Sequence, residues 1–176
     1  MQKNTARPLA FGLIVLTALA RLVQRVNFAP VGALSLYAGG RLRGWQAYAL
    51  PLLLMAITDP LLGGYSFATP FVYASFLIYV WIGSRLRSTE NPLLIAGAAV
   101  AGSAQFFLIT NFATWLSFQL PYPHTLAGLM QCYVAAIPFY GRTLASDLIY
   151  SGVLFGAHAF LSRTVVPSER VAVQAA

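Results

Sequence analysis

Charge is what this sequence has least of. Only 9% of its 176 residues are Asp, Glu, Lys or Arg, and only four are acidic, against about 25% charged residues in a typical soluble domain. No polar run is long enough to make a separate domain, so a soluble catalytic domain is excluded. Cysteine occurs once, as Cys132, which rules out an intramolecular disulfide; its apolar surroundings make it a small buried hydrophobe. Histidine occurs twice, at 124 and 158. His124 and Cys132 are two helical turns apart and His158 belongs to a different region, so no metal-ligand spacing arises and no metal is expected. Ser75, Ser103 and Ser151 lie in apolar runs without a His–Asp grouping, and neither a G-x-S-x-G elbow nor a G-x-x-x-x-G-K loop occurs. Neither an enzyme nor a bound cofactor is expected, and ATP hydrolysis by that loop is excluded.

What is present is apolar. Hydrophobic residues make up 59% of the chain and the mean hydropathy is +0.70, the composition of an integral membrane protein. Apolar runs fall at 8–24, 28–42, 45–62, 70–86, 92–118 and 142–162, with a further stretch at 125–139. They are continuously apolar, unlike the alternating strands of a membrane barrel. Helix-end punctuation separates them: Asn27 with Pro30, Gly39-Gly40, Asp59-Pro60 with Gly63-Gly64, Thr69-Pro70, Glu90-Asn91-Pro92 and Pro121 with Pro123. The expectation is an all-α bundle of six crossings in one transmembrane domain over 1–176. The 15 residues of 125–139, with Gln131 and Pro138, are expected as an extra helix in the outer half; a seventh crossing is the alternative. Lys3 and Arg7 followed by an apolar run and Ala18-Leu19-Ala20 also resemble a secretory signal.

The net charge of +7 sits in pairs of basic residues between apolar runs, which points to membrane orientation and not to nucleic acid. Six crossings with an internal N-terminus place Lys3, Arg7, Arg41, Arg43, Arg85, Arg87, Arg163 and Arg170 inside and Arg21, Arg25 and Arg142 outside. Both termini are then cytoplasmic. Seven crossings would still be positive-inside.

Asp59 becomes interesting in that frame. Between Trp45 and Leu62 no other side chain carries a charge at neutral pH. It lies 14 residues from Trp45, a rise of about 21 Å, in the outer part of a core roughly 30 Å thick. Pro60 is expected to loosen the helix there. Arg21 and Arg25 share a face at the same level, followed by Asn27. Asn111, Thr114, Trp115 and Phe118 form one stripe, and Tyr65, Tyr122, His124, Arg142 and Asp147 are also placed towards the outside. The inner halves read as aliphatic, aromatic or small. One-sided polarity argues against a continuous pore and for a bowl opening outward. Intramembrane ionisable groups point to function by default, although Asp59 and Asp147 pairing with Arg21, Arg25 or Arg142 would be a structural account, Asn111 an interhelical clamp, and Trp115, Tyr65 and Tyr122 an interfacial belt. Gly97/Ala101, Ala98/Gly102 and the small residues between Gly32 and Gly40 favour close helix packing.

The segments "NFAPVGALSLYAGG" (27–40), "LPLLLMAITDPLLGGY" (50–65), "QFFLITNFATWL" (105–116), "YPHTLAGLMQCYVAAIPFY" (122–140) and "LASDLIYSGVLFG" (144–156) resemble a family of small bacterial membrane proteins described as transport proteins of unknown function. That family is similar in turn to the S components of energy-coupling-factor vitamin transporters. The resemblance implies a six-helix bundle in the bacterial inner membrane with cytoplasmic termini. It also implies an outward-facing pocket for a vitamin-like nutrient and an ATPase module as partner. Its A-x-x-x-A docking motif has its nearest counterpart in Ala6 and Ala10, with Pro8 between. The first family's motifs and the depth argument nominate Asp59, Asn111, Trp115, Tyr122, Tyr133 and Asp147 as binding residues, with loops 63–69 and 117–124 closing over a ligand stacked on Trp115 and Tyr122. A self-sufficient carrier using Asp59 or Asp147 and a membrane scaffold are the rival readings.

Overall fold

A computed structural model describes residues 6–22, 28–87, 89–117 and 122–164. Arg25, Asn27 and Phe118, and the expected helix ends at 24 and 118, lie outside them. The described residues form six α-helices and no strand: α1 (Ala6–Arg21), α2 (Val31–Arg41), α3 (Trp45–Leu62), α4 (Thr69–Ser84), α5 (Pro92–Leu116) and α6 (Leu126–Thr164). Two segments are long and apolar enough to cross a membrane by length and composition, Pro92–Leu116 and Leu126–Arg163, and Pro8–Arg21 and Thr69–Ser84 are shorter apolar helices.

The ends follow local chemistry. Asn91 caps α5, its Oδ1 accepting from the Leu93 N–H at 2.9 Å, and Pro92 fills the first helical position, where no N–H is needed. α3 starts after Gly44 (φ 66°) and stops at Gly63 (φ 131°) and Gly64 (φ 82°), conformations that favour glycine. Pro60 does not loosen the helix at Asp59 as expected: α3 continues to Leu62, and the Asp59 carbonyl accepts from the Gly64 N–H at 2.8 Å. A proline at 60 has no N–H to give the carbonyl four residues back. The Tyr65 hydroxyl donates to that Ala56 carbonyl at 2.7 Å instead, so the last turn is held from outside.

The stretches 125–139 and 142–162 are not separate. They form one helix, α6, running through Pro138, Gly141 and Arg142. At 1.5 Å per residue its 39 residues extend about 58 Å, and an exposed proline is tolerated in a long apolar helix whose neighbours support it.

α2 lies at the centre, touching all five other helices, and Val31 to Gly40 are buried throughout. Its glycines allow this. A Cβ on Gly39 would lie 2.0 Å from the Val80 carbonyl oxygen of α4, and one on Gly83 would lie 2.0 Å from the Leu36 carbonyl oxygen of α2. The two backbones therefore meet directly. Leu34, Leu36, Tyr37, Tyr79, Val80 and Phe155 pack the core around this crossing. Ala10 is fully buried in the same core, so it is not presented for docking. With 11 residues, α2 spans only about 16 Å. Beyond its N-terminus at Val31, the longer helices enclose space that no helix fills.

Candidate functional site

Two carboxylates flank that space, and they are built differently. Arg21 ends α1 and Asp59 lies in the last turns of α3; Arg21 Nη2 meets Asp59 Oδ1 at 2.5 Å. Arg21 Nη1 donates to the Thr58 hydroxyl, and the Tyr73 hydroxyl donates to Asp59 Oδ2 at 2.7 Å. The expected structural pairing of Asp59 is thus made by Arg21, with both carboxylate oxygens engaged. Tyr73 was not legible in the sequence, since one more aromatic in an apolar helix carries no signal.

Asp147 is 1% exposed, in the middle of α6, about 32 Å along the helix from Leu126. Arg142 is exposed, and among the described residues Asp147 forms no ion pair. Its Oδ2 accepts from the Tyr79 hydroxyl and its carboxylate from the Ala33 N–H, so it sits on the N-terminal end of α2, where the helix dipole favours negative charge. Two glycines make this socket. A Cβ on Gly32 would fall 2.3 Å from Asp147 Oδ1, and one on Gly102 would fall 2.2 Å from Cε1 of Tyr79. Gly102, expected with Ala98 in a helix-packing face, makes room for a tyrosine side chain.

Between these groups lies a cavity of about 320 Å³. Gly64, Ser66 and Thr69 form its rim, Arg21 and Asp59 one wall, Phe76 and Phe106 another, and Gly32, Tyr79 and Asp147 its depth. A second cavity of about 510 Å³ between α4, α5 and α6 shares Val72, Phe106 and Thr143 with it and carries Thr110, Asn111, Thr114 and Tyr140. Asn111 Nδ2 donates to the Phe107 carbonyl of its own helix at 2.8 Å, so Asn111 does not clamp another helix through its amide nitrogen.

The other expected binding residues are elsewhere. Trp115 Nε1 donates to the Pro123 carbonyl at 2.9 Å, with its ring against His124. Tyr133 donates to the Leu108 carbonyl at 2.8 Å, and Tyr122 is half-buried in the α5–α6 connection. None of the three lines either cavity, so a ligand stacked on Trp115 and Tyr122 is not what this geometry offers. Phe76, Tyr79 and Phe106 are the aromatic walls instead, indistinguishable in sequence from ordinary core. Of the two expected closing loops, 63–69 contributes rim residues, whereas 118–121 lie outside the described residues.

The sequence model of a family of unknown function, DUF6580, matches residues 1–170. The chain belongs to that family. No curated protein and no solved structure matches it.

The opposite end of this DUF6580 chain is not the dry plug expected. The Tyr37 hydroxyl and His158 Nδ1 are hydrogen-bonded at 2.6 Å in the core. Arg41 donates through Nη1 and Nη2 to the Leu86 and Thr89 carbonyls, each at 3.1 Å, and its guanidinium lies 4.8 Å from the Phe155 ring centroid. These groups tie α2 to α6 and to the α4–α5 connection. A smaller cavity of about 180 Å³ lies beside Glu90 and Ser151. Among the described residues no group of three His, Cys, Asp or Glu gathers.

Proposed function

We propose that this DUF6580 protein is a six-span inner-membrane protein that captures a small water-soluble nutrient from outside the cell, in the manner of the S components its sequence resembles. The observation that carries the reading is the 320 Å³ cavity holding Arg21, Asp59 and Asp147. Ionisable groups are expensive in a membrane interior and are retained where they serve a pathway or a ligand. Pockets for small molecules start at about 300 Å³ and combine apolar walls with a few polar groups.

Orientation rests on charge. Arg41, Arg43, Arg85, Arg87 and Arg163 fall at the end of the bundle away from the cavity mouth, and the charge count of the sequence assigns Lys3, Arg7 and Arg170 to the same side of the membrane. A cytoplasmic placement of that end puts the mouth outside. The exposed Leu53, Ile57, Leu61, Trp81, Leu108, Val134 and Val153 are a lipid-facing surface in this reading. Inward release requires an added movement of the bundle, which an ATPase module would drive.

The buried Asp147, with no cationic partner among the described residues, favours one second reading, a self-sufficient carrier that uses this carboxylate as a relay. Solute uptake by the protein alone in liposomes would select that reading over a capture subunit.

Native mass spectrometry of the detergent-purified protein tests the capture reading. The expected result is a bound small molecule that is absent from Thr143→Trp, in which an indole occupies space shared by both cavities, while the variant stays monodisperse. A wild-type protein that carries nothing and takes up no solute from a cell extract overturns it.

A further inference from the structure

The charges around the cavity do not cancel. Arg21 and Asp59 neutralise each other at 2.5 Å, and Asp147 remains as a buried carboxylate whose partners are a hydroxyl and a backbone N–H. Buried carboxylates are ordinarily matched by a cation. Among the described residues no further basic side chain lines this cavity. Tyr79, whose hydroxyl meets Asp147, forms one aromatic cluster with Phe76 and Phe106: centroids are 5.7 Å apart for Phe76–Tyr79, 5.2 Å for Phe76–Phe106 and 6.4 Å for Tyr79–Phe106. All three line the void. A carboxylate and an aromatic cluster lining one cavity are the chemistry that recognises an ammonium group: the carboxylate supplies the counter-charge and the ring quadrupoles attract the cation where water is excluded.

We infer that the cavity's ligand is a small organic cation whose charged nitrogen sits between the Asp147 carboxylate and the rings of Phe76, Tyr79 and Phe106. The inference rests on the nutrient-capture reading and narrows it to one class of substrate. An anion would meet an uncompensated carboxylate while Arg21 is already engaged by Asp59. A neutral solute would leave the carboxylate unmatched. The volume, at the small end of the roughly 300–1,000 Å³ range of ligand pockets, suits a compact amine or quaternary ammonium compound.

The test uses the full chain in lipid nanodiscs and isothermal titration with choline and benzyltrimethylammonium, against 3,3-dimethylbutan-1-ol, the uncharged carbon isostere of choline. The cations are expected to bind about tenfold or more tightly than the isostere. Asp147→Asn is nearly isosteric, and its amide oxygen and nitrogen can pair with the Ala33 N–H and the Tyr79 hydroxyl, so the variant is expected to fold; it is expected to lose at least about tenfold in cation affinity. Phe106→Leu leaves the carboxylate in place and is expected to weaken the cations severalfold with little change for the isostere. Equal binding of choline and its isostere, undiminished cation binding in Asp147→Asn, or no binding of either cation overturns the inference. Native mass spectrometry separates the two levels. A neutral or anionic molecule displaced by Thr143→Trp overturns the cation and leaves nutrient capture standing, whereas a cavity that binds nothing overturns both.

Discussion

The two ends of the bundle bury comparable polar chemistry and arrange it to opposite effect. At the Arg41 end, Tyr37 with His158 and Arg41 with the Leu86 and Thr89 carbonyls tie helices together. At the Asp59 end, Arg21, Asp59, Tyr73, Tyr79 and Asp147 are hydrogen-bonded too, yet all of them except Tyr73 line a void. The difference is helix length. α2 fills the middle of the bundle at the Arg41 end and stops at Val31, so at the other end the space between α1, α3, α4, α5 and α6 has no central helix. Polarity alone therefore does not mark a binding site here; polarity around the vacated axis of a short helix does.

The sharpest way to break that comparison is to push α2 off its seat. Gly83→Val places carbon atoms against the Leu36 backbone, where even a Cβ would lie 2.0 Å from the oxygen. Overpacking of a core costs about 1–3 kcal/mol where side chains can yield, and a backbone cannot. Size-exclusion chromatography is expected to show no monodisperse protein, and a well-folded valine variant would contradict the direct α2–α4 contact. Next comes Arg21→Gln, which leaves the Asp59 carboxylate buried without its cation. A loss of about 3 kcal/mol is expected in reversible unfolding, with most of it restored by adding Asp59→Asn. Additive losses would show that the pair is not coupled.

Smaller effects belong to the other end. Tyr37→Phe removes one buried hydrogen bond and leaves His158 Nδ1 unmatched, so a loss of about 1 kcal/mol is expected, with ligand binding at the Asp147 cavity unchanged. A change in affinity there would mean that the two ends are not independent. Smallest of all, Glu90→Gln breaks an ion pair with Arg163 whose side chains are 51% and 72% exposed. Solvent screening leaves it worth under about 1 kcal/mol, and thermal unfolding at high salt should not distinguish the variant from wild type.

Helix positions were legible because their ends carry local chemistry. Gly63-Gly64 and Asn91-Pro92 mark the end of α3 and the start of α5 to the residue. α6 was misread because Pro138, Gly141 and Arg142 look like a break, whereas a long helix supported by a neighbour runs through all three. Asp59 was recognised from its isolation among apolar residues, and its pairing with Arg21 was among the alternatives that isolation raised. Asp147 stands out in the sequence as an acid in an apolar run, but its partners do not. Its neighbours in sequence gave no hint that Tyr79, two helices away in the chain, and the start of α2 would hold it. Trp115 and Tyr133 share a helical region with Asn111 and Cys132, but periodicity cannot say that backbone carbonyls at Pro123 and Leu108 claim their polar atoms. Tertiary pairing of this kind is set by side chains distant in sequence, and periodicity carries no record of them.

The direction in which the cavity opens is tested most directly by thiol accessibility at Thr143→Cys, in a Cys132→Ala background, since residue 143 lines both voids. A membrane-impermeant cationic methanethiosulfonate is expected to modify it in right-side-out vesicles and to leave it untouched in inverted ones. Modification only in inverted vesicles, or in neither, would contradict an outward-facing capture site.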